Sequence, residues 1–138
     1  MNYCSSHQTN LQTLLVVNKG QTELDLNSPV LASFHQVCIS SLATTKIITL
    51  VQQHQPDLVI LDLEWLEAVD SQLIPALRLD WLTRNIPILL ITDTSGLQSL
   101  QNLDYDVRLH RSCSLLELEK TICFLTSISV CESHGKAV

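Results

Sequence analysis

Polar side chains stand where short apolar runs end, and a carboxylate is the most reactive of them. In "PDLVILDLEWL", residues 56–66, the run Leu58 to Leu61 delivers Asp62, with Glu64 close behind. The run "IPILLI", Ile86 to Ile91, delivers Thr92 followed by Asp93. Val107 to Leu109 delivers His110, and Leu14 to Val17 delivers Asn18, Lys19 and Gly20. A carboxylate at such a strand end can be a reactive group displayed at a sheet edge. Asp62 equally suits a strand end that caps a turn, and threonine suits strands without any chemistry. The residues taken singly admit both readings.

The elements that must position these groups are legible in part. Leu58 to Leu61 and Ile86 to Ile91 are apolar without interruption, the pattern of parallel strands covered on both faces. Asn18-Lys19-Gly20 stops the strand at Leu14 to Val17, and a brief second strand falls at Val37 to Ile39. Ser28-Pro29, a cap followed by proline in the first turn, opens a short first helix over about 29–34. Ile47, Ile48, Leu50 and Val51 keep helical spacing from Ala43 to His54. Pro56 closes that helix, because the residue before proline avoids the helical region.

A third helix is predicted over 73–82, with Ser71 as its cap and Pro75 in its first turn. Ser114 and Glu117 form a capping box ahead of Leu115, Leu116, Leu118, Ile122 and Leu125, so the last helix covers about 115–128. Between Thr92 and His110 only Leu97, Leu100 and Leu103 make an apolar stripe, which leaves a short fourth helix. Strands alternating with helices imply an α/β fold, a flavodoxin-like, doubly wound, five-stranded parallel sheet in the order 2-1-3-4-5. Its first and fourth helices are expected to be shortened. The domain spans 12–128, between an extension over 1–11 and a tail over 129–138. In such sheets the working site lies outside the carboxyl ends of the strands, which gathers Asn18, Lys19, Asp62, Thr92 and His110.

Composition narrows the function. With 138 residues, 46% apolar and 16% charged, the chain is one domain with a real core. A net charge of −6 with scattered Lys and Arg argues against nucleic acid, which binds by counterion displacement. No leader pattern and no membrane-length apolar run is present, so a soluble, cytoplasmic domain without membrane contact is expected. Cys4, Cys38, Cys113, Cys123 and Cys131 form no C-x-x-C pair and have no zinc spacing with histidine, which implies reduced thiols and no metal. Gly20, Gly96 and Gly135 are the only glycines, so no phosphate-cradling loop is built. No Ser-His-Asp or Cys-His set is readable, and the chain is not expected to be an enzyme. Trp65 and Trp81 read as packing residues, with Trp65 a partner contact if exposed.

The sequence resembles the receiver domain of two-component response regulators over roughly residues 12–128. "QPDLVILDLEWLEAVDSQLIPALR" is similar to that family's third strand, phosphoacceptor loop and third helix, and "RNIPILLIT" to its fourth strand. The resemblance implies that Asp62 takes the phosphoacceptor's place and Thr92 that of the switch hydroxyl. The separations of Asn18, Asp62 and Thr92 agree with the family's. Departures cluster in the site. The acids that hold magnesium read Asn18 and Lys19, the lysine and proline after the fifth strand read His110-Arg111, and the small residue after the switch is Asp93. Leu66 replaces the proline after the phosphoacceptor, and Val107 stands at the aromatic switch position with Tyr105 nearby.

These departures have physical consequences. Mg²⁺ wants oxygen ligands in octahedral array, so an amide and an ammonium in place of two carboxylates make its binding weak or absent, and no cofactor is expected. Lys19 either pairs with Asp62 where the metal would sit, favouring the ionised carboxylate, or is a solvated turn lysine. His110 replaces a lysine only when protonated, and is otherwise an ordinary partly exposed histidine. The expected function is an atypical receiver in two-component signal transduction, acting as a phosphorylation-independent interaction module. It would dock on another signalling protein or on itself, through the last strand and helix around 107–125. The alternative is a conventional receiver phosphorylated on Asp62 by a histidine kinase.

Overall fold

The computed structural model of the chain describes residues 12–17, 28–39, 43–62, 72–92 and 104–137, with the side chains of 62 and 128–137 left aside. Five parallel strands form one sheet: β1 Thr13–Val17, β2 His35–Ile39, β3 Leu58–Asp62, β4 Ile88–Thr92 and β5 Val107–His110. Their order is β2-β1-β3-β4-β5, the expected doubly wound arrangement. Helices α1 Thr44–His54, α2 Leu73–Leu79 and α3 Leu115–Ala137 cover the sheet.

Strand alternation divides the core in two. Leu15, Val17, Val59, Leu61, Ile88 and Leu90 meet Ile47 and Val51 of α1 and Leu73, Ile74 and Leu77 of α2. The intervening residues Leu14, Val16, Leu58, Ile60, Leu89 and Ile91 meet Leu118, Ile122 and Leu125 of α3, with Leu31 beside them. That is why β3 and β4 carry no polar residue before their ends. Each buried aliphatic side chain contributes roughly 1.5–3 kcal/mol, so the sheet is fixed from both faces.

The strand entries are pinned by a repeated polar device. Asp57, just before β3, donates its amide to the Thr13 carbonyl at 2.8 Å and accepts the Thr13 N–H on Oδ2 at 2.8 Å. Asp106, just before β5, does the same to Ile88, at 2.9 Å and 2.7 Å. Arg78 of α2 reinforces the second pin. Its Nη2 bonds Asp106 Oδ2 at 2.8 Å, Nε donates to the Asp104 carbonyl at 2.9 Å, and Nη1 donates to the Arg84 and Ile86 carbonyls at 2.9 Å each.

Several boundaries differ from the sequence reading. The short first helix is a 3-10 turn, Leu31–Ser33, whose N-cap residue is Val30 and not Ser28, although Ser28 Oγ accepts the Leu31 N–H at 3.2 Å. β2 begins earlier, at His35. α2 stops at Leu79 instead of 82, because Asp80 adopts an extended backbone and its Oδ1 accepts the Leu82 N–H at 3.1 Å. Gln72 precedes α2 as its cap residue without a side-chain bond. β4 starts at Ile88, since Pro87 has no N–H for the ladder and the Ile86 N–H turns back to the Thr83 carbonyl at 3.1 Å. α3 begins at the Ser114 cap, whose Oγ accepts the Glu117 N–H at 3.0 Å. It continues past 128 to Ala137, as no proline intervenes and the first glycine is Gly135. α1 ends as read: Gln55 takes a left-handed conformation, φ 45°, before Pro56.

Trp81 is not a packing residue. It is exposed on the turn after α2. The helix expected over 73–82 would have included Trp81, and its end at Leu79 leaves Trp81 in the turn.

Candidate functional site

The C-terminal ends of β1, β3, β4 and β5 lie side by side. Val17, last of β1, pairs with Leu61 of β3. Asp62, last of β3, stands opposite Ile91, and Thr92, last of β4, stands opposite His110, last of β5. The register therefore brings Asp62, Thr92 and His110 to one edge, as the strand-end argument required. β1 and β3 are also where the chain reverses its order across the sheet, the place such folds use for binding. Asn18, Lys19, Glu64, Trp65, Ser71, Asp93 and the stripe Leu97, Leu100 and Leu103 lie outside the described residues.

Thr92 is buried at the strand end, and its carbonyl accepts the Arg111 N–H at 2.7 Å. That bond ties the exit of β5 to the exit of β4. His110 is exposed and engaged within its own turn: Nδ1 lies 2.8 Å from Ser112 Oγ and accepts the Ser112 N–H at 3.1 Å. The next turn residue, Cys113, has its thiol pushed above the usual range by burial and, secondarily, by the Glu117 carboxylate.

From the sequence, Arg111 reads only as the residue in the proline's place. It directly follows the lysine position, it is half-buried, and its Nε and Nη1 atoms are both buried. Its guanidinium is a permanent cation one residue beyond the position of the expected lysine. The aromatic position is also resolved. Val107 opens β5 and packs on the α3 side, whereas Tyr105 packs on the α1–α2 side, at the entry end of the strand.

Among the described residues, no group of three or more His, Cys, Asp or Glu is placed to hold a metal ion. Cys38, Cys113 and Cys123 are free thiols. No helix of the described residues is long and apolar enough to cross a membrane.

No family model and no curated protein matches the chain. Solved structures do. A putative response regulator from Chloroflexus aurantiacus superposes with a TM-score of 0.70 at 20% identity, covering 85% of this chain and 98% of that one. A response regulator receiver modulated diguanylate cyclase from Pelobacter carbinolicus gives 0.70 at 19% identity, covering 90% and 99%. The chemotaxis protein CheY4 of Vibrio cholerae gives 0.64 at 17% identity, covering 83% and 98%. With its 2-1-3-4-5 parallel sheet, and Asp62 and Thr92 closing adjacent strands, this chain has the fold of response-regulator receiver domains.

Proposed function

We propose that the chain is a receiver-like module of two-component signalling that works as a protein-interaction domain without needing phosphate on Asp62. The observation that carries this is His110. At the position where the resemblance calls for a lysine stands an imidazole whose Nδ1 is engaged by Ser112 within its own turn. A phosphoryl group on Asp62 adds close to two negative charges, and Glu64 and Asp93 flank that region in sequence. Magnesium fits the donor set poorly: Asp62 is its carboxylate, while Asn18 and Lys19 bring an amide and an ammonium. Arg111, and Lys19 if it pairs with Asp62, would be the cations this chain offers in its stead. With little charge gain there is little differential energy to move Thr92 between two states.

Docking falls to β5 and the first turns of α3. β5 is the sheet's edge, and its exposed Arg108 and His110 discourage indiscriminate strand pairing. Leu115, Leu116 and Phe124 expose apolar surface on α3. The partner is another signalling protein or a second copy.

The test combines labelling with binding. Acetyl phosphate with Mg²⁺ should leave the intact mass unchanged, and Asp62→Asn should keep partner affinity within about threefold, under 1 kcal/mol. Labelling of wild type but not Asp62→Asn, with a tenfold change in affinity, would establish the second reading, a phosphoacceptor receiver served by a histidine kinase. That reading has its own support, the adjacency of Asp62 and Thr92 at neighbouring strand ends.

A further inference from the structure

We draw no further inference here: the strongest candidate, the apolar surface patch of Leu79, Trp81 and Leu82 on the turn after α2, is exposed, and nothing in the structure shows what covers it.

Discussion

Asp57 enters β3 and Asp62 leaves it, and the two ends of that strand are built on different terms. At the entry edge, Asp57 and Asp106 each exchange two bonds with the first residue of the neighbouring strand, Thr13 and Ile88. The first N–H of a parallel strand has no neighbour in the regular ladder, and an aspartate just before the adjacent strand satisfies it. Arg78 then gathers the Asp104, Arg84 and Ile86 carbonyls to the same end. At the exit edge the polar residues Asp62, Thr92 and His110 close their own strands instead, and a backbone bond from Arg111 to Thr92 ties the exits of β4 and β5. Carboxylates that fasten backbone donors serve stability, whereas Asp62 at a strand exit is the one the proposed function concerns. One sequence segment, "PDLVILD", contains both kinds.

The sharpest way to break this contrast is at Arg78. Arg78→Ala strands several carbonyls and the Asp106 carboxylate, and should cost about 2–4 kcal/mol in urea unfolding. Arg78→Lys should recover less than half of that, because an ammonium cannot span the same acceptors as a planar fork. Asp57→Ala and Asp106→Ala should each cost about 1–2 kcal/mol by leaving a strand N–H unsatisfied. By contrast Asp62→Asn should change stability by less than about 0.5 kcal/mol. Equal losses at Asp57 and Asp62 would erase the distinction between entry and exit.

Smaller effects sharpen it. Gln55→Gly should stabilise the chain by about 0.5 kcal/mol, since Gln55 holds a positive φ that glycine adopts without strain. At the exit edge, Cys113 should react with iodoacetamide more slowly than the exposed Cys38 near neutral pH. Its thiol is raised by burial first and by Glu117 second, so the thiolate that reacts is scarcer. Peptide mapping after a short alkylation pulse measures the ratio, and a faster Cys113 would mean that the turn at His110 opens.

Unbroken apolar runs determined β3 and β4 from sequence alone, because a strand buried on both faces has no alternation to disguise it. The Ser114 cap, the Pro56 stop and the convergence of Asp62, Thr92 and His110 on one edge followed from local chemistry and the parallel topology. Tertiary structure alone decided the rest. The spacing of Leu73, Ile74 and Leu77 promised a helix through Leu82, but Asp80 was captured by Gln52 of α1 and by its own turn. Nothing in the sequence announced that Arg78 would reach Asp104 and Asp106, or that Asp57 would hold Thr13, since those partners meet only once the strands are in register. Periodicity reports which face of an element is buried. Which polar group satisfies which distant donor depends on the register of neighbouring strands, and that is fixed only when the core closes.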